Sequence, residues 1–211
     1  MTIITISRQS GSEGNIITKM LSQRLGCKFF DKEMMAQLAE VIGLDATKIK
    51  DLKAEDHHVK SFWEEAFSNL ALPMVDPSIW VLTTQYQARE ALDLSQVISL
   101  INAAYVHGED LIIVGRGSQI ILNDKPDVLH VRIVAPLETR IQRWMKREGI
   151  SYEEAKKVVE NRNKKHIDFI KTHFHEDINN PELYDLIVNT GKLSLEKVVD
   201  LIIDASRSLL N

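Results

Sequence analysis

The sequence predicts an α/β domain built on a parallel, five-stranded sheet flanked by helices. Three observations point there. Short apolar runs such as Leu111-Ile112-Ile113-Val114 carry no polar alternation, as strands buried on both faces do. These runs alternate with longer stretches of helical periodicity. The glycines and Ser/Asp residues fall between the two kinds of segment, where turns and caps belong.

Taken in order, residues 2–6 read as a first strand and 14–25 as an amphipathic helix on Ile16, Ile17, Met20, Leu21 and Leu25, stopped by Gly26. Cys27-Lys28-Phe29-Phe30 is a short second strand, and Asp31 is placed to cap a helix through Ile42, closed by Gly43. Residues 45–93 change character: a charge-rich run, Lys48–Lys60, precedes Phe62, Trp63 and Phe67, and then come Pro73 and Pro77. This reads as a mostly helical insertion with a break at the prolines. Leu94–Tyr105 is a further helix, stopped near Gly108. Leu111–Val114 and Val128–Val134 are strands, and Pro136 suits the first position of a helix to about Glu148. Ser151 caps a long charged helix to Thr172. Asp185–Val188 is the last strand, and Ser194 caps a closing helix, Leu195–Leu209.

Composition narrows the classes of partner. The chain has 211 residues, 44% hydrophobic and 27% charged, with formal net charge -4, so overall charge favours neither nucleic acid nor an anionic membrane. One cysteine, Cys27, excludes a disulfide framework and a cysteine-based metal site, and its neighbours place it in the core. His173 and His175 lack a third ligand at a defined spacing and read as surface residues, so no metal site is expected. With no signal peptide and no membrane-length apolar run, the expected location is cytoplasmic.

The stretch from Arg8 to Ile16 carries the clearest chemical signal. A strand passes through a Gly/Ser-rich turn straight into a helix, the layout of a phosphate-binding loop. The helix N-terminus offers unsatisfied N–H groups and the positive end of its dipole. Gly11 and Gly14 let the backbone approach a phosphate, and Ser10 and Ser12 add hydroxyls. The signature G-x-x-x-x-G-K-[ST] is incomplete, because no lysine follows the second glycine. Glu13 sets a negative charge beside the expected phosphates, and Asn15 stands near the lysine's place. Arg8 and Lys19 are local cations outside that slot. A plain strand-turn-helix corner is the competing reading.

Five stretches, "TISRQSGSEG", "FFDKEM", "IIVGRGSQIIL", "HVRIVAPLETRIQR" and "YDLIVNTGKLSLE", resemble in order the cytidylate kinase-like family, a branch of the P-loop nucleoside monophosphate kinases. The resemblance implies a P-loop NTPase-type domain over 1–211, with 45–93 as a helical monophosphate-binding lobe and 150–175 as a helical lid. It implies transfer of the γ-phosphoryl of ATP, with Mg²⁺, to a nucleoside monophosphate, CMP or dCMP first. Nucleotides are then the partners, and a homodimer is left open.

By that resemblance Arg8, Ser10, Gly11, Ser12, Glu13, Gly14, Asn15 and Ile16 line the ATP phosphates. Arg116, in the turn Gly115-Arg116-Gly117, holds substrate phosphate; the G-R-D turn of true cytidylate kinases has its aspartate where Gly117 stands. Asp31 either orients the substrate or caps a helix. Arg140, Arg162 and His166 are the catalytic candidates. Arg140, Arg143 and Arg147 share one helix face, with Arg147 read as solvated. Asn163 and His166 replace the Asp and Arg of a D-x-x-R lid segment. Glu13, Asn15 and His166 all remove or oppose positive charge, and they support an alternative: a nucleotide-binding or regulatory protein that keeps the fold with weak or absent catalysis.

Overall fold

Strand β1 (Ile3–Arg8) lies at the middle of the sheet, because its residues are buried on both faces and leave it no solvent edge. The structure is a computed structural model and describes residues 2–31, 94–107 and 110–209. The expected helix 31–42 and the insertion 45–93 lie outside the described residues. The chain divides into two compact units, Met1–Phe29 with Glu109–Asn211, and Phe30–Gly108.

In chain order β1 is followed by α1 (Gly14–Leu25) and β2 (Lys28–Phe30). After the second unit come β3 (Leu111–Val114), a short α3 (Ser118–Ile121), β4 (Val128–Val134), α4 (Leu137–Glu148) and α5 (Tyr152–Phe174). A 3₁₀ turn (Pro181–Leu183), β5 (Leu186–Asn189) and α6 (Leu195–Ser208) complete it. In the second unit the described helix is α2 (Leu94–His107). Its buried Val97, Leu100, Ile101 and Ala104 recur at helical spacing along one stripe.

The sheet order is β2-β3-β1-β4-β5, and β1 pairs in parallel with both β3 and β4, as β4 does with β5. The five-stranded parallel α/β architecture is the one the sequence predicts. Pro136 is a small correction. It is the residue before α4 rather than its first residue, at φ -54 and ψ 144, an extended conformation. The 3₁₀ turn and α3 were not expected.

Strand period two sorts the side chains. Ile4, Ile6, Ile112, Val114, Leu129, Val131, Ile133 and Val188 pack with Ile17 and Leu21 of α1 and with Val198, Val199, Ile202 and Ile203 of α6. Each fully buried side chain of this size contributes roughly 1.5–3 kcal/mol. Cys27 joins this cluster, and burial pushes its thiol up to about 11, so it is inert filler. Thr5, Ser7, His130 and Arg132 take the alternate positions and are buried too.

The helix ends obey local rules. Gly26 and Gly149 close α1 and α4 in the left-handed region, at φ 68 and 67. Ser151 and Glu154 form a reciprocal capping box at the start of α5. A second apolar cluster, Ile141, Trp144, Ala155 and Val159, joins α4 to α5. Among the described residues no helix is long and apolar enough to cross a membrane.

Candidate active site

Parallel strands bring the loops after β1, β3, β4 and β5 to one edge of the sheet, where α/β proteins hold ligands. The first of these is Gln9–Glu13. Gln9 moors its start: its N–H donates to Ile133 O at 3.0 Å, and its Oε1 accepts from Ala135 N at 3.1 Å. Gly11 has φ 82, and a Cβ there would fall 2.8 Å from Arg140 O, so only glycine fits. Ser12 is fully buried; its Oγ donates to Gln9 O at 2.9 Å, so this hydroxyl braces the loop from within.

Helix α1 starts at Gly14 with no acidic residue in its first turn and no side-chain cap from Glu13. Its first N–H groups therefore lie at the end of the loop with the positive end of the dipole, as an anion requires. Glu13 takes the left-handed conformation, φ 63, just before the helix. Its Oε1 lies 3.8 Å from Arg143 Nε, so the carboxylate is matched by a guanidinium.

Helix α4 grips the loop from outside. Arg140 is buried; its Nε donates to Ala135 O at 2.9 Å and its Nη1 to Ser10 O at 3.4 Å. Burial lowers its pKa from the usual value. Arg143 Nη1 donates to Gly11 O at 3.2 Å and to Thr190 Oγ1 at 2.9 Å, and Nη2 donates to Thr190 O at 2.8 Å. Trp144 Nε1 donates to Ser10 Oγ at 3.0 Å. The arginines at spacing three thus hold loop carbonyls. Arg147 is exposed and stacks on the Trp144 ring, 3.9 Å from its centroid.

The segment expected to serve as a lid, 150–175, lies mostly on one continuous helix, α5. Its Arg162 also stacks on the Trp144 ring, 4.6 Å from the centroid. Asn163 Oδ1 accepts from Ser10 N at 3.3 Å, so a side chain of α5 already occupies one loop amide. His166 has its pKa pushed down to about 4, first by burial and then by Arg8 and Arg132. Near neutral pH it is an uncharged hydrogen-bonding group and supplies no cation. His173 lies against Phe169, ring centroids 4.8 Å apart, and His175 ends the helix at φ 58. Among the described residues no three His, Cys, Asp or Glu side chains gather to hold a metal ion.

Arg8 differs most from its expected place. A Cβ on Gly14 would meet Arg8 Cβ at 2.6 Å and Cγ at 2.8 Å, so the arginine stem runs directly over the first residue of α1. Its Nε donates to Asn15 Oδ1 at 3.2 Å, and Nη1 lies 2.6 Å from where a Gly115 Cβ would be. The cation read as lying outside the lysine's slot reaches across it.

The turn after β3 is left-handed at three successive residues, with φ 75, 59 and 75 at Gly115, Arg116 and Gly117. Half-buried Arg116 thus leaves the sheet at its carboxyl edge. A Cβ on Gly117 would collide with Phe174 Cε2, so the last aromatic of α5 fills the space that an aspartate at this position needs. Asp31 directly follows β2; the helix it was expected to cap lies outside the described residues.

Arg132 was not among the residues the sequence singled out. It is 5% exposed, and it donates to Ser7 Oγ at 3.0 Å, Tyr184 OH at 3.1 Å and Asn179 Oδ1 at 3.0 Å. These partners are all neutral. The available signal was the pair His130 and Arg132 at period two inside a buried strand. Thr190 was missed as well; it ties β5 to the loop through Ser12 O at 3.0 Å.

The sheet order, the strand-loop-helix corner and the helical segment following β4 define a P-loop kinase fold. Comparison with known proteins agrees. The pattern of the cytidylate kinase-like family matches residues 3–192, and the chain belongs to that family. Cytidylate kinase of Ignicoccus hospitalis is 26% identical over 203 residues, 96% of this chain and 97% of that protein. Cytidylate kinase of Methanopyrus kandleri is 26% identical over 215 residues, 99% and 94% of the two chains. An uncharacterized protein from Eubacterium ventriosum superposes with a TM-score of 0.67 at 22% identity, covering 99% of each chain, which speaks for the fold.

Proposed function

We propose that the protein transfers the γ-phosphoryl group of ATP to a nucleoside monophosphate, with CMP and dCMP the first acceptors to test. Family membership and the near full-length likeness to two cytidylate kinases support the class. The observation that carries the reading is the start of α1: uncapped amides, a first turn without acid, and the Arg8 stem laid over it.

In the reaction an oxygen of the acceptor's phosphate attacks the γ-phosphorus. The bond from that phosphorus to the bridging oxygen breaks, and its electron pair leaves with ADP. No covalent enzyme intermediate is needed, because catalysis of this kind is positioning and charge neutralisation. The loop amides of 11–16 other than that of Ser12, which donates to Gln9 O, hold the β- and γ-phosphates. Arg116 takes the acceptor's phosphate. Arg140 positions the loop through Ser10 O, Arg162 brings charge on the lid, and neutral His166 offers a hydrogen bond. Mg²⁺, on this reading, arrives on the nucleotide's phosphates and neutralises charge there.

Two features favour a second reading, nucleotide binding with little transfer: the Asn163 oxygen on the Ser10 amide, and the uncharged state of His166. An ADP-release assay over a panel of monophosphates, run beside ATP-binding calorimetry, separates the two. Acceptor-dependent ADP release establishes the kinase. ATP binding without acceptor-dependent release from any monophosphate establishes the binding protein.

A further inference from the structure

The phosphate loop has kept its shape and lost its lysine, which raises the question of what supplies the charge. The common motif ends in Gly-Lys at the passage from loop to helix. Here the residue in left-handed conformation just before the helix is Glu13, so it stands in the glycine's place. Gly14, the first residue of α1, therefore stands in the lysine's place, and Asn15 in that of the Ser or Thr.

Position 14 has no side chain, and the space beside it is filled from the opposite direction. The Arg8 stem crosses at contact distance from the Gly14 backbone, and its guanidinium ends between α1 and the end of β3, beside Gly115. Asn15 Oδ1 holds Nε at 3.2 Å and fixes the course of the chain. Two residues without side chains, Gly14 and Gly115, clear the path. Any residue with a Cβ at 14 would displace Arg8.

We propose that Arg8 is the phosphate-loop cation of this protein, delivering across Gly14 the charge that a lysine at position 14 delivers from the helix. The proposal rests on the kinase reading of the site. The Arg8 guanidinium offers planar, two-pronged donation to phosphate oxygens where an ammonium offers a point charge. His166 of α5 lies near Arg8, and burial first, then the charges of Arg8 and Arg132, hold its pKa low.

The proposal makes positions 8 and 14 mutually dependent, and a charge swap tests it. ATP affinity, in the presence of Mg²⁺, and phosphoryl transfer are measured for Arg8→Gly, Gly14→Lys and the double variant, with thermal melts as the check on folding. Arg8→Gly should weaken ATP binding about tenfold and slow transfer on the order of a hundredfold, the scale of losing one charged contact to the transition state. Gly14→Lys alone should bind ATP no better than the parent, because the new Cβ collides with Arg8. The double variant should regain most of what Arg8→Gly loses. Arg8→Gln and Arg8→Lys, which keep the stem, guard against a folding defect: the first should lose affinity and the second retain most of it.

Unchanged ATP affinity in Arg8→Gln, a gain from Gly14→Lys alone, or a double variant no better than Arg8→Gly would each overturn the proposal. If the parent phosphorylates no monophosphate, the kinase reading falls, and the affinity measurements alone still decide the role of Arg8.

Discussion

Glu13 Oε1 and Arg143 Nε face each other at 3.8 Å, with both side chains largely shielded from solvent. The acid that looks in the sequence like an obstacle to phosphate is thereby matched by a cation of α4, which also holds Gly11 O and Thr190.

Glu13→Gly should therefore change ATP affinity by less than about threefold. Stability should shift by no more than about 1 kcal/mol: relief of the left-handed backbone offsets loss of a half-shielded ion pair. Calorimetry and urea unfolding measure both. A tenfold gain in ATP affinity would show that the carboxylate does repel the nucleotide.

Gly117→Asp introduces the G-R-D turn of true cytidylate kinases but drives a Cβ into the Phe174 ring. A loss of about 1–3 kcal/mol is expected from this overpacking. Combined with Phe174→Ala, the aspartate should cost clearly less than it does alone. Purely additive losses in thermal melts would mean that the two positions do not compete for space.

Trp144 serves two purposes, and two substitutions separate them. Trp144→Phe keeps an aromatic face for Arg147 and Arg162 but removes the Nε1 bond to Ser10 Oγ, at a cost of about 1 kcal/mol. Trp144→Ala also empties part of the cluster with Ile141, Ala155 and Val159 and should cost about 3–5 kcal/mol. Equal losses in denaturant melts for the two variants would rule out a packing role.

His166 gives the protein a pH dependence of defined sign. The folded state holds its pKa near 4, against 6.5 for the unperturbed side chain. As pH falls through 6.5 the unfolded chain takes up a proton that the native state refuses until about 4. The contribution to stability is thus present above this window and lost as pH drops through it, at up to about 1.4 kcal/mol per pH unit. Urea midpoints measured from pH 7 to 4 should fall less steeply in His166→Asn. His130, also lowered by burial, keeps a residual slope in both proteins. Parallel curves for the two proteins would show that His166 is not held neutral.

Much of this protein was legible as a sequence. The continuous run Leu111–Val114 marked a strand buried on both faces, Gly26 marked a helix end, and Ser151 and Ser194 marked helix starts. Those signals are local: each follows from the backbone conformation or periodicity of a few neighbouring residues, so the chain carries them wherever it folds. The pairings that build the site are not local. Ser7 meets Arg132 across 125 residues because β1 and β4 pair in that register, and Thr190 reaches Ser12 O across 178. Glu13 looked like an unbalanced charge because its partner, Arg143, comes from another helix. Arg8 looked remote from the lysine's place because sequence distance does not record a side chain folding back over Gly14. Periodicity can tell which face of an element a residue occupies, but only the packed sheet and its helices decide which side chain meets it there.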